Sequence, residues 1–392
     1  MSEDNESAPS NKTRFVQMGR NHDAPPTTVN LPVMRASTVL YGTMAIMKEA
    51  RARSDAGEAV LRYGSRGTIN AFALQDAITE IEGGVDTTLF PTGLAAIAHT
   101  FISLLRPGDH LLLAESVYRP TRDLATDFLP QRGVECEFYT GGHEEVEKRL
   151  KPNTKMVYLD NPGSIIYDIQ DIPALAKLLE GRDTLLAVDN TWGAAGLHKP
   201  IELGADVSVI AVTKYIAGHS DLMMGSVTAA PSCAQQLRRD TNLLGQTVTP
   251  DDAYAALRGL RTAAARLAMH QTHTTEVVTW LQQHPLVEQV LYPALETDPG
   301  HALWKRDFHG ANGLFSVVFT SDVTQEQAGV FAESLDLFGL GASWGGYESL
   351  VMVYPVVPGW SGNALARLHI GLEDPKDLIA DIEQALAKMS GN

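Results

Sequence analysis

Two charged residues stand where apolar runs end. Thr184-Leu185-Leu186-Ala187-Val188 terminates in Asp189-Asn190-Thr191-Trp192, and Val207 to Val212 terminates in Thr213-Lys214-Tyr215. In an open α/β sheet both side chains would emerge along the same carboxyl edge, where such folds place their ligands. An amine at the end of a buried strand is partly desolvated, which favours its neutral, nucleophilic form. That is the state a Schiff-base lysine needs. A carboxylate near it is the recurrent partner of a pyridinium nitrogen in pyridoxal phosphate chemistry. An Asp and a Lys at two strand ends also fit a surface ion pair, so spacing alone leaves both readings open. A third feature is Pro91-Thr92-Gly93-Leu94-Ala95-Ala96, a strand-to-helix turn whose free N–H groups and positive dipole end suit a phosphate. The chain lacks both G-x-x-x-x-G-K-[ST] and G-x-G-x-x-G, which argues against a nucleoside triphosphate or a dinucleotide.

The elements that would position these residues read as α/β. Apolar runs at Thr87-Leu89-Phe90, His110 to Ala114, Val134 to Tyr139, Met156 to Leu159, Thr184 to Val188, Val207 to Val212 and Gly225 to Ala229 alternate with amphipathic stretches. The stretches Leu94 to Leu105, Pro120 to Leu129, Glu144 to Leu150 and Ile172 to Glu180 space their Leu and Ile residues as helices do. Together they predict a large, mostly parallel seven-stranded sheet with helices on its faces. An N-terminal arm covers residues 1 to 70, with Met1 to Thr13 expected to be a solvated, mobile tail. The large domain spans 71–258 and a smaller α+β domain 259–392. Ala253 to Gln283 contains no proline and predicts one long helix between them. Beyond it Gly313 to Thr320 and Ser349 to Val357 read as strands, Gln325 to Leu335 and Asp374 to Met389 as helices.

Composition narrows the function. The chain has 392 residues, with 47 acidic against 31 basic and a formal charge of -16. That field repels a phosphate backbone or an anionic lipid surface, so nucleic acid is not expected as a partner. It leaves open a local pocket for a small anionic cofactor. The most apolar stretch, Gly93 to Leu105, falls short of the roughly 20 residues a membrane span requires. The amino terminus lacks the basic and apolar regions of a secretory signal. Two cysteines, Cys136 and Cys233, make no disulfide framework and suit idle thiols in a reducing cytoplasm. His219 and Asp221 could pair on a metal, and His270 and His273 lie one helical turn apart. Solvated or capping histidines are commoner than ligands in such a pattern, and no metal is assigned.

The run Ala211-Val212-Thr213-Lys214-Tyr215-Ile216-Ala217-Gly218-His219-Ser220-Asp221 resembles the lysine motif of the Cys/Met-metabolism family of pyridoxal phosphate enzymes. Further segments resemble its β-lyases in order and with compatible spacing, over residues 25 to 390. They include Tyr63-Gly64-Ser65-Arg66-Gly67-Thr68, Val188-Asp189-Asn190-Thr191-Trp192, Arg258-Gly259-Leu260-Arg261-Thr262 and Trp304-Lys305-Arg306-Asp307-Phe308. Two more are Ser343-Trp344-Gly345-Gly346-Tyr347-Glu348-Ser349 and Arg367-Leu368-His369-Ile370-Gly371-Leu372-Glu373-Asp374. The resemblance implies the PLP-dependent transferase fold type I of aspartate aminotransferase, and a homotetramer of two active-site-sharing dimers. It implies that Lys214 carries pyridoxal 5'-phosphate as a Schiff base, that Asp189 pairs with the pyridine nitrogen and that Tyr118 stacks on the ring. Gly93, Leu94 and Thr213 would donate to the phosphate, and Tyr63 would reach it from a neighbouring subunit. Arg367 would grip the substrate carboxylate, helped by Ser343 and Trp344, because its planar fork matches a carboxylate.

The implied activity is β-elimination at the Cβ–S bond of L-cystathionine to homocysteine, pyruvate and ammonia, within trans-sulfuration and methionine biosynthesis. A broader cysteine-S-conjugate β-lyase or desulfhydrase is the runner-up, with a methionine or cystathionine γ-lyase behind it. A silent paralogue is disfavoured by the set Lys214, Asp189, Tyr118 and Arg367. Two positions depart from the family pattern. Its Tyr-x-Arg has Ser65 in the third place here, with Arg66 one residue later, and the expectation is that Arg66 does not fully replace the missing phosphate ligand. Ala342 stands before Ser343-Trp344 where a tyrosine is expected, which enlarges the pocket on the leaving-group side.

Overall fold

The computed structural model describes residues 10–19 and 28–391. Seven strands form the larger sheet: β1 Asp86–Phe90, β2 His110–Ala114, β3 Glu135–Tyr139, β4 Thr154–Asp160, β5 Leu185–Asp189, β6 Val207–Ile210 and β7 Gly225–Ala229. Their order is β1-β7-β6-β5-β4-β2-β3. The run β6-β5-β4-β2-β3 is parallel, and β7 pairs antiparallel with both β6 and β1. Parallel strands covered on both faces need apolar side chains in either direction. β2 meets that demand with Leu111, Leu112 and Leu113, all without exposed surface. Helices Gly93–Leu104 and Ile69–Glu82 pack against the sheet, the second also against the long helix Pro250–Leu281.

The smaller sheet is built from β8 Val287–Leu291, β9 Leu314–Phe319, β10 Gly339–Leu340, β11 Leu350–Val353 and β12 Leu365–His369, in the order β10-β11-β12-β9-β8. Its core includes Phe315, Phe319, Phe331, Leu368 and Ile382, and fully burying each such side chain is worth about 1.5–3 kcal/mol.

Each of the seven expected strands in the large sheet is present, with shifts where local chemistry intervenes. β6 stops at Ile210, two residues before the expected end, because the chain turns there to form the Lys214 segment. The expected helix Pro120 to Leu129 divides into α-helix Arg119–Asp123, a π turn Leu124–Phe128 and a 3-10 turn Pro130–Arg132. Pro130 lacks the N–H that would continue the α ladder. The long helix opens at Pro250, where Thr249 caps it by accepting the Asp252 N–H at 3.0 Å. Expected strand Ser349 to Val357 shortens to Leu350–Val353, since Pro355 cannot donate to a ladder. Residues 11–13, expected in the mobile tail, begin helix Asn11–Gln17, whose Arg14 pairs with Glu80 of Ile69–Glu82. The rest of that tail, Met1 to Pro9, lies outside the described residues.

Candidate active site

Lys214 sits on a compact turn after β6 rather than on the strand. The Lys214 N–H donates to the Ala211 carbonyl at 3.0 Å and its own carbonyl accepts from Gly218 at 2.8 Å. The long helix braces this turn from behind. A side chain on Gly259 would meet the Ala217 carbonyl oxygen at 2.2 Å, so only glycine permits the approach. Two turns further along, the buried Arg266 donates Nη2 to the Tyr215 carbonyl at 2.8 Å and to the Gly259 carbonyl at 2.9 Å. Lys214 Nζ donates to Ser343 Oγ at 2.8 Å and lies 5.1 Å from the centre of the Trp344 ring. Burial, and then the Arg367 charge, lower its pKa to about 8.

Asp189 ends β5 inside the protein. Its Oδ1 accepts from the Thr191 N–H at 3.0 Å and from Thr191 Oγ1 at 2.5 Å. On the neighbouring strand, in register with it, is Asp160. Asp160 Oδ2 accepts the Tyr118 N–H at 2.8 Å, and Oδ1 is buried with no partner among the described residues. Burial raises both carboxyls, and the Asp189 charge pushes Asp160 further up. The Tyr118 phenol is raised chiefly by burial, then by the charge of Asp189 and by Tyr354 and Asp160, against the Arg367 charge. Behind Asp189, the buried Glu82 Oε2 accepts from Asn190 Nδ2 at 2.8 Å and Ser208 Oγ at 2.7 Å. Burial pushes the Glu82 carboxyl up to about 7 against those two bonds.

Gly93 and Leu94 open helix Gly93–Leu104, where N–H groups of the first turn have no intrahelical acceptor. Thr92 caps that helix through the Ala95 N–H at 3.0 Å. A side chain on Gly93 would meet Ala211 Cβ at 2.8 Å, so the glycine lets the helix end approach the Lys214 turn. The Thr213 hydroxyl is already committed, donating to the Met224 carbonyl at 3.1 Å and accepting its N–H at 2.9 Å. Its hydroxyl must turn before it can donate to a phosphate.

Arg367 lies on β12, 5% exposed. Its Nη2 donates to the carbonyls of Gly341 and Ser343, both at 3.1 Å, and its Nε is buried without a partner among the described residues. Glu373, a neighbour that could have paired with it, instead accepts from Ser349 N and Oγ, both at 2.8 Å. The structure therefore gathers Lys214, Ser343, Trp344 and Arg367 in one place, and Asp189 with Tyr118 beside it. Tyr63 and Arg66 are not part of that cluster within one chain. Both are exposed, neither side chain is hydrogen-bonded among the described residues, and Arg66 lines a crevice with Phe72, Asp76 and Arg238.

Sequence reasoning missed Asp160, although it ends the run Met156 to Leu159 just as Asp189 ends its own. It also misread His270, which is neither solvated nor capping. The ring is fully buried, and its Nδ1–H donates to the Ile370 carbonyl at 2.8 Å.

The model of the family described as Cys/Met metabolism PLP-dependent enzymes matches residues 12–387. The chain belongs to that family. Among its relatives, the cystathionine beta-lyase of Bordetella avium is 43% identical, over 93% of this chain and 94% of that protein. Cystathionine beta-lyase MetC of Escherichia coli K12 is 39% identical over 96% and 98%. The L-alanine/L-glutamate racemase of Wolbachia pipientis wMel is 34% identical over 96% of each chain. The crystal structure of metB from Corynebacterium glutamicum superposes with a TM-score of 0.88 at 30% identity, covering 97% of this chain and 98% of that one. Pyridoxal phosphate is accordingly the cofactor of this enzyme family.

Proposed function

We propose that this chain is a carbon–sulfur β-lyase that cleaves L-cystathionine to homocysteine, pyruvate and ammonia. The observation that carries the reading is the meeting of Lys214 Nζ, the Ser343 hydroxyl and the unpaired Arg367 Nε. One cation is free to hold a substrate carboxylate, beside an amine whose pKa is lowered to about 8.

The residues present fit pyridoxal phosphate. Two buried carboxyls in register, Asp189 and Asp160, have no cation bonded to them among the described residues, and a protonated ring nitrogen would complete that pair. Gly93 and Leu94 offer helix-terminal N–H groups to a phosphate. Tyr118 would cover the ring face, and Trp344 the side near Lys214. The cofactor, when bound, supplies the electron sink that makes a Cα proton removable and a Cβ–S bond breakable.

Arg367 fixes the carboxylate through Nε, and this orients the substrate Cα–H toward Lys214. The neutral Lys214 amine takes the Cα proton, then returns it to the departing thiolate sulfur, so the proton balance closes on one residue. Asp189, held by Thr191, would pair with the ring nitrogen of the bound cofactor and favour its protonated form. Water then converts the remaining three-carbon fragment to pyruvate and ammonia.

The exposed apolar residues Leu40, Met44, Ile46 and Met47 of the arm support assembly with further copies, which we take to be a homotetramer with Tyr63 serving a neighbouring site. Two free thiols, Cys136 and Cys233, whose pKa values burial pushes up to about 12, suit a reducing cytoplasm. No helix among the described residues is long and apolar enough to cross a membrane.

Ala342, small and exposed beside Ser343, favours a second reading in which the leaving group varies among cysteine S-conjugates. Pyruvate release measured across L-cystathionine, L-cystine, S-alkylcysteines and methionine tests both. L-Cystathionine is expected to have the highest kcat/KM. Faster turnover of S-alkylcysteines would favour the second reading, and amino-acid racemisation without pyruvate would overturn both.

A further inference from the structure

Strand β12 places Arg367 and His369 two residues apart, hence on the same face. Arg367 holds the carbonyls of Gly341 and Ser343. His369 continues the grip along the same loop. Its Nδ1 lies 3.0 Å from the Glu348 carbonyl, an atom that only accepts, so Nδ1 carries the proton. Nε2 is therefore the free lone pair, and it accepts the buried Gly345 N–H at 3.0 Å. The two bonds require one tautomer and agree on it.

Gly345 is the point where this loop touches Lys214. It has a φ of +86°, and a side chain there would stand 3.0 Å from the Lys214 Cα and Cβ. The far end of the loop is tied to the lysine turn as well, because Ser220, with a φ of +56°, donates its hydroxyl to the Glu348 carboxylate. Ser343, the third residue of the 341–348 loop, accepts from Lys214 Nζ.

We propose that His369 is a positioning residue whose neutral imidazole pins Gly345 through Nε2, holding the 341–348 loop, and Ser343 with it, against Lys214. The assignment of Lys214 rests on the function proposed above, whereas the pin itself is independent of it. Burial keeps the ring uncharged, reinforced by His270 and by the Arg367 and Lys214 cations, and opposed by its bond to Glu348. The aromatic neighbours Tyr215, at 5.9 Å, and His270, at 5.2 Å between ring centres, fill its remaining surface. Removing the acceptor leaves a buried N–H unsatisfied beside the lysine.

Two isosteres separate the two bonds. In His369→Gln the side-chain oxygen reaches the place of Nε2 and can accept from Gly345. In His369→Asn the amide N–H takes the place of Nδ1 and can donate only to Glu348. The readouts are amide hydrogen exchange at Gly345 in the full-length, cofactor-loaded enzyme and kcat for pyruvate release. We expect exchange at Gly345 to rise roughly tenfold or more in His369→Asn, and to stay within about threefold of the parent in His369→Gln. The kcat should fall with loop release in the Asn variant and be largely recovered in the Gln variant. Equal protection of Gly345 in both variants, or faster exchange in Gln than in Asn, would overturn the proposal. Because exchange needs no turnover, a failed activity assignment and a failed pin give different results.

Discussion

The two halves of the site are built in opposite ways. At the carboxyl edge of the large sheet, functional side chains leave at strand ends or on the turn just beyond and are held by nearby segments: Asp189 by Thr191, Asp160 by the Tyr118 N–H, and the Lys214 turn by Arg266. On the small sheet, Arg367 and His369 lie within a strand and act on the backbone of another segment, the 341–348 loop. The first half is acidic and buried, suited to a cationic ring that stays. The second sets a buried strand cation against a loop it holds, suited to a carboxylate that comes and goes. A chain with a net charge of -16 can thus concentrate positive potential where a small anion must bind.

Changes on the large-sheet side should strike cofactor retention and chemistry, and changes on the small-sheet side recognition. Lys214→Ala, which removes the proton carrier, is expected to lower kcat for pyruvate by roughly 10³-fold or more, measured by coupled pyruvate assay. Next in size, Arg367→Leu should reduce kcat/KM by roughly 10²–10³-fold, as loss of one partner of a buried charge pair does. Asp189→Asn should raise the cofactor dissociation constant by about ten- to 100-fold, since a charged hydrogen bond is worth roughly 1.5–3 kcal/mol. Fluorescence titration of the resolved apoenzyme reads it.

The same division decided what was legible from sequence. Asp189 and Lys214 could be found because an apolar run that stops at a charged residue marks a sheet edge. Arg367 was reached only through resemblance. Its strand, Leu365-Ala366-Arg367-Leu368-His369, carries two polar residues on its buried face, which erases the period-two signal. Side-chain bonds to a remote backbone, such as His369 to Gly345, leave no trace in spacing because their partners are set by how the loop folds. Asp160 was legible and was passed over. Helix Met44–Asp55, inside the arm, and helix Ile69–Glu82, at the start of the large domain, were not anticipated.

Smaller effects sharpen the contrast. Arg66 lines an outer crevice of its own chain, so Ser65→Arg should tighten pyridoxal phosphate binding by about tenfold, the worth of one good ionic hydrogen bond. An unchanged constant would mean that no phosphate ligand is missing. His270, buried behind the small-sheet half, has its pKa lowered to about 4 by burial. Its folded value lies below its unfolded one, so it contributes stability above pH 6.5 that is lost as pH falls toward 4. His270→Asn, which can still donate to Ile370, should flatten the decline in the urea midpoint over that interval.

The division of labour stands or falls on the dissociation constant of pyridoxal phosphate from Arg367→Leu, measured by titrating the resolved apoenzyme. The expected value lies within about twofold of the parent's, because Arg367 serves the substrate and loop rather than the cofactor. A tenfold weakening would contradict it and make Arg367 part of the cofactor's own hold.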